Sequence, residues 1–218
     1  MYNQLNTIDP VQLKSTDTPK GRFYTTPSGI KYPSITTVLG YGDKQWLIDW
    51  RNSLGFEKAD KEMKRAADRG TAVHLMLERS LQNDPNPTEG QQIDHICEFN
   101  SLKMFIKKIN NIYAQEVALY SDTMKVAGRV DCIAEFNGKL AVIDFKTSSR
   151  DKKSDMIPNY YQQAAFYALA FQEMYDIQIE DIVIIMSVEK GLPLVFHEKV
   201  DNWIEPLIKQ ISFFHANH

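Results

Sequence analysis

The chain has 218 residues, a net charge of −3 and ordinary apolar and charged fractions, which describes one globular domain with elaborations, large enough to bury its own core. Only Cys97 and Cys132 are present, which excludes a disulfide framework and a four-thiolate iron–sulfur cluster. No apolar run reaches the roughly 18 residues that a membrane-spanning helix needs, and the mild acidity does not exclude a polyanionic partner, because carboxylates that hold a cation lose their negative charge to it.

Residues 1–20 are polar and aperiodic and are expected to form a flexible, poorly packed arm. They show neither a secretory apolar core nor the Arg-rich character of a transit peptide, so a reducing, cytoplasmic compartment is expected. Residues 23–32 read as a small hairpin around Pro27-Ser28-Gly29. Ser34 reads as the N-cap of a helix that starts at Ile35. A second helix carries Trp46, Leu47, Ile48 and Trp50. Over residues 57–80 helical spacing turns Met63, Ala66, Ala67, Val73, Leu77 and Leu81 inward. Residues 84–90 are a loop, and residues 93–112 form a further helix through Ile96, Phe99, Leu102, Phe105, Ile106 and Ile109.

Strands are expected at residues 116–120, 126–136 and 139–146. A linker with Arg150, Lys152 and Lys153 leads to a helix at residues 158–175, a buried strand at 181–188, an edge strand at 194–200 and a last helix at 203–214. This order describes an α/β domain with a mixed central sheet flanked by helices.

The stretch GRVDCIAEF-NG-KLAVIDFKT (residues 128–147) is the most informative. Asn137-Gly138 between two β-rich runs is the strongest short-range signal for a two-residue hairpin. In that register Phe136 faces Lys139 and Asp131 faces Asp144, with Lys146 on the same side as Asp144. Val130, Cys132, Ala134 and Phe136 with Ala141, Ile143 and Phe145 make one apolar face, and Asp131, Ile133 and Glu135 with Leu140, Val142, Asp144 and Lys146 make a mixed one. Opposed carboxylates with Cβ atoms about 4.5–5.5 Å apart are destabilising, and a divalent cation between them removes the repulsion. The plain alternative is a hairpin with solvated charges.

Four features in order resemble a known family. They are the Arg69-Gly70-Thr71-Ala72-Val73-His74 segment, Gly128-Arg129-Val130-Asp131, the Asp144-x-Lys146 triplet, and YYQQAAFYA (residues 160–168) with Gln163 and Tyr167 one turn apart. Together they resemble the PD-(D/E)xK nuclease superfamily, with Val130 in place of the name-giving proline. Within it they look like the RecB-like exonuclease branch, and residues 32–51 look like the group of mitochondrial genome maintenance exonucleases and their phage relatives. That likeness implies a restriction-endonuclease-like core with an N-terminal helical elaboration. After the arm read at residues 1–20, it also implies one nuclease domain over 21–218, with its hairpin and helices at 21–60 and its catalytic core at 61–218.

The resemblance further implies chemistry. Asp131 and Asp144 would hold Mg²⁺ or Mn²⁺, one or two ions, with the Phe145 carbonyl and with His74 from the preceding helix. Lys146 would orient the attacking water and stabilise the transition-state charge. Glu116 is either a further ligand or a solvated strand-end glutamate. Gln163 and Tyr167 would contact substrate phosphate or Lys146, or else serve the helix surface and the core. Arg69, Arg129, Ser34 and Thr37 are further candidates for substrate contact, the last two at a helix N-terminus. Trp46, Trp50 and Tyr41 stack on bases or belong to the core. The implied activity is a metal-dependent exonuclease on DNA with single strands or free ends, partnered by replication or recombination proteins in a bacterial or phage-infected cell. A structure-specific endonuclease and a non-catalytic nucleic-acid binder are the alternatives.

Overall fold

A computed structural model describes residues 1–5, 7–42 and 45–218. Three short antiparallel strands come first: β1 (Lys14–Thr18), β2 (Gly21–Thr25) and β3 (Lys31–Pro33). Four helices follow: α1 (Ile35–Leu39), α2 (Gln45–Leu54), α3 (Phe56–Leu81) and α4 (Ile93–Ile106). The main sheet then runs through β4 (Ile109–Ser121), β5 (Val126–Phe136) and β6 (Lys139–Ser148). It continues after a 3₁₀ turn (Ser154–Met156) and α5 (Pro158–Tyr175) with β7 (Asp181–Val188) and β8 (Leu194–Lys199), and α6 (Asp201–Asn217) closes the chain. Strand order is β4-β5-β6-β7-β8, antiparallel throughout except for the parallel β6–β7 pair that α5 bridges. The expected mixed sheet flanked by helices is therefore present.

The β5–β6 hairpin forms at Asn137-Gly138. Both residues adopt positive φ, 51° and 78°, which a two-residue turn between right-twisted strands requires. Phe136 pairs with Lys139, and the register runs on to Cys132 and Ile143.

Both faces of this hairpin are buried. Cys132, Ala134, Phe136, Ala141, Ile143 and Phe145 pack under Val73, Met76 and Leu77 of α3 and Phe99 and Leu102 of α4. Ile133 and Val142, assigned from alternation to a mixed face, lie with Ile182 and Ile184 beneath Ala164, Ala165, Phe166 and Ala168 of α5. A parallel crossover lays its helix on the sheet, so strands in such a sheet carry apolar residues on both sides. Val130 also departs from simple alternation and joins the α5 side with Val117 and Leu119. Regular β5–β6 pairing has ended by that position, where β5 stays paired with β4 through Val130–Val117.

Three expectations differ from the structure. The helix assigned to residues 93–112 ends at Ile106, and β4 starts at Ile109, seven residues before the strand expected at Glu116. Ile109 and Ile112 are buried as the spacing suggested, but β-branched residues around Asn110-Asn111 favour a bulged strand, and register shifts occur at Asn110–Ile112 and Ile112–Ala114. Met63, Ala66 and Ala67 are exposed, because no described residue buries that stripe on the first half of α3, and periodicity reports a stripe without saying what covers it. The N-terminal residues are not a loose arm. Leu5 N–H donates to the Ile112 carbonyl at 2.8 Å, Tyr2 N–H donates to Asn83 Oδ1 at 2.6 Å, and Lys14–Thr18 pairs with β2. Asn83 and Ile112 are distant in sequence from Tyr2 and Leu5 and invisible to local pattern, whereas β1 and β2 are neighbours along the chain.

Candidate metal centre

Paired strands stop one residue short of the two aspartates. Beyond Cys132–Ile143 the Asp131 carboxylate takes over a ladder position, its Oδ2 accepting the Phe145 N–H at 2.8 Å. Asp144 stays in the β6–β7 ladder opposite Ile184 and is 1% exposed. Neither of its oxygens accepts a hydrogen bond of regular geometry. Its close partner is the Lys146 ammonium, 2.5 Å from Oδ2, which also lies over the Tyr160 ring at 5.1 Å.

β4 contributes Glu116, between the paired positions Gln115–Cys132 and Val117–Val130 and thus across from Asp131. Its φ of 52° is uncommon for a side chain of this size, and such local strain gathers at functional positions. α3 contributes His74, whose Nδ1 stands 3.7 Å from Asp131 Oδ2 and whose ring meets Phe145 edge-on. One ligand atom each from His74, Glu116 and Asp131 lies within 4.8 Å of the others. Oxygen and nitrogen ligands about 2.0–2.6 Å from a common ion span such distances.

The electrostatics favour a cation. Burial first, then the charges of Asp131 and Glu78, pushes the Glu116 carboxyl up to about 7 against the weaker pull of Arg129. Burial also raises Asp144; Lys146 opposes that shift and Asp131 adds to it. Burial would lower the Lys146 ammonium, but Asp144 and Asp131 outweigh it and leave it raised, hence charged. Carboxylates that resist ionisation beside one another, with only the Lys146 ammonium close to Asp144, and an imidazole fit a hard divalent ion.

Tyr167 is buried, and Gln163 Nε2 donates to its hydroxyl at 3.2 Å. Burial raises its phenol well above the ordinary range, with Asp131 and Asp144 adding to the effect. Gly128 allows this placement, since a Cβ there would meet Tyr167 Cε1 at 2.8 Å.

Other expected site residues are engaged elsewhere. Arg69 is buried in ion pairs with Glu189 and Glu98, at 2.7 and 3.8 Å. Ser34 Oγ accepts the Thr37 N–H at 3.0 Å, and Thr37 Oγ1 takes the Arg22 N–H, so both cap α1 and hold β2. Gly70 lies against β6, where a Cβ would meet Thr147 Oγ1 at an ordinary 3.5 Å. Arg129, by contrast, is exposed on β5, near enough for its charge to act on Glu116. Tyr41 packs on Phe213 and Phe214, whereas Trp46 is 69% exposed and α2 buries no residue. Glu78 escaped the sequence reading, although it stands four residues after His74 and therefore on the same helix face.

Residues 101–186, which hold every side chain of the cluster except His74 and Glu78, match the family model of the PD-(D/E)XK nuclease superfamily. Over this segment the chain is similar to that superfamily. It is 31% identical over 174 residues to mitochondrial genome maintenance exonuclease 1 of Mus musculus, covering 74% of this chain and 51% of the relative. The Homo sapiens protein of the same name is 26% identical over 175 residues, with 74% and 50% covered. The chain thus spans about half the length of the curated relatives it matches. A crystal structure from Eubacterium rectale, described as a candidate exonuclease, superposes with a TM-score of 0.46 at 14% identity over 69% of this chain and 65% of that one.

Proposed function

We propose that the chain hydrolyses phosphodiester bonds in DNA with the help of a divalent cation, as an exonuclease on single strands or free ends. The observation that carries this reading is the convergence of His74, Glu116 and Asp131 beside a buried Asp144–Lys146 pair. Asp131, Glu116 and His74 would hold the ion, with Asp144 completing its oxygen set. A bound Mg²⁺ or Mn²⁺ supplies a more acidic water and neutralises charge on the phosphoryl oxygens.

The protein's own groups do the rest. Lys146 stays protonated between Asp144 and Asp131 and donates to an oxygen of the scissile phosphate, stabilising the charge that grows there. Asp131, fixed by the Phe145 N–H, keeps one carboxylate orientation. Gln163, bonded to the immobile Tyr167 hydroxyl, presents its amide to the substrate from α5. The superfamily match and the names of the relatives support nuclease chemistry, and those names support a role in genome maintenance through replication, repair or recombination.

The test uses end-labelled linear and covalently closed single-stranded DNA with Mg²⁺, Mn²⁺ or EDTA. Metal-dependent loss of the linear substrate alone is expected. Cutting of the circle would instead make the protein an endonuclease, and binding without cleavage of either, with duplex DNA also intact, would make it a binder.

A further inference from the structure

His74 reaches the site from a helix, so something must set how far along its axis that helix sits. Around Arg69 the structure shows an ionic lock, its arginine buried and its Glu189 partly exposed, with no evident part in phosphate chemistry. The Arg69 side chain is 5% exposed and its Nη1 donates to Glu189 Oε2 at 2.7 Å. Its Nε lies 3.8 Å from Glu98 Oε1 and has no hydrogen-bond partner among the described residues. Glu98 is itself held by the Ser187 hydroxyl at 2.8 Å. Glu189 follows β7 directly, and its N–H donates to the Ser148 carbonyl at 2.8 Å, two residues beyond Lys146 on β6. One residue after Arg69, Gly70 faces Thr147, the neighbour of Lys146.

We propose that the Arg69–Glu189 ion pair is a positioning device for His74, fixing α3 against the ends of β6 and β7 so that the imidazole meets Asp131. This rests on the metal-centre reading above. A buried ion pair is a weak source of stability, since apolar side chains of similar volume often serve as well, and its best-attested use is to set registry. His74 lies five residues after Arg69 on the helix, about 7.5 Å along the axis, so a shift at the lock is passed to the imidazole almost undamped. Arg65 bonds the same Glu189 from the exposed side and supplies the control, because Arg69 holds Glu189 without it.

The experiment is Mn²⁺ titration by calorimetry of the metal-free protein, with melting temperatures measured in EDTA. His74→Ala is expected to weaken Mn²⁺ binding about tenfold or more. Arg69→Gln and Glu189→Gln are expected to weaken it about three- to tenfold, while Arg65→Gln leaves it unchanged. In the His74→Ala background Arg69→Gln should add nothing, a coupling that mere loss of stability does not produce. Should Arg69→Gln fail to fold, Glu189→Gln gives the same readout from a less buried position. Lowered melting with unchanged Mn²⁺ affinity, or losses that add to that of His74→Ala, would overturn the positioning role while leaving the metal centre standing. An unchanged affinity in His74→Ala would overturn both.

Discussion

Glu116→Gln isolates the cost of assembling carboxylates without a cation. The substitution keeps Cβ and side-chain length, so the left-handed backbone at φ 52° is no more strained than before. In the folded protein the carboxyl holds its proton up to about 7, against an ordinary 4.5, whereas the unfolded chain releases it near the ordinary value. Folded-state protonation is thus favoured, and metal-free stability falls as pH rises from about 4.5 through about 7. At roughly 1.4 kcal/mol per pKa unit the full shift is about 3 kcal/mol, and solvent screening of a partly exposed group reduces this to on the order of 1–2 kcal/mol.

In EDTA at pH 8, Glu116→Gln should therefore melt about 2–8 °C above the wild type, and at pH 4.5 the two should nearly coincide. Saturating Mn²⁺ reverses the order. A ligand at a hundred times its Kd stabilises by about 2.7 kcal/mol, and the glutamine variant should capture only part of that. The assay is differential scanning calorimetry across this pH range with and without metal. Parallel pH profiles, or equal Mn²⁺ shifts in the two proteins, would refute the reasoning.

Other expectations follow from single contacts. Gly128→Ala forces a Cβ into the Tyr167 ring and should lower unfolding free energy by about 1–3 kcal/mol in urea titrations. Ser34→Ala removes a cap bond and should cost about 0.5–2 kcal/mol while leaving KM for DNA unchanged; a large rise in KM at unaltered stability would reinstate Ser34 as a phosphate contact. Asp144→Asn should abolish cleavage yet leave DNA affinity within about threefold, measured by fluorescence anisotropy in Ca²⁺, because a buried carboxylate makes no direct hold on the strand.

Much of this architecture was legible in local pattern. Asn137-Gly138 fixes a turn whose backbone few other residue pairs adopt, and period-two alternation carries the register from it to Cys132 and Ile143. What escaped depends on contacts distant in sequence. The bulged start of β4 reads as helix because Ile109 and Ile112 also suit a helical stripe, and with it went the backbone twist that aims Glu116 at Asp131. Arg69 resembles a substrate contact until Glu189, 120 residues away, is seen to hold it. Docking of Tyr2 and Leu5 likewise rests on Asn83 and Ile112. The aspartates came from the hairpin register and the histidine from a resemblance. The convergence of His74 and Asp131 with Glu116 comes from the fold.

The most direct test of the central claim is single-turnover hydrolysis of end-labelled single-stranded DNA in Mn²⁺ by wild type and Lys146→Ala, at metal concentrations where calorimetry shows both proteins loaded. Loss of the positive charge beside the phosphate should slow the chemical step at least about a hundredfold with metal binding retained. A Lys146→Ala rate equal to that of the wild type would contradict the assignment of this cluster as the site of phosphodiester cleavage.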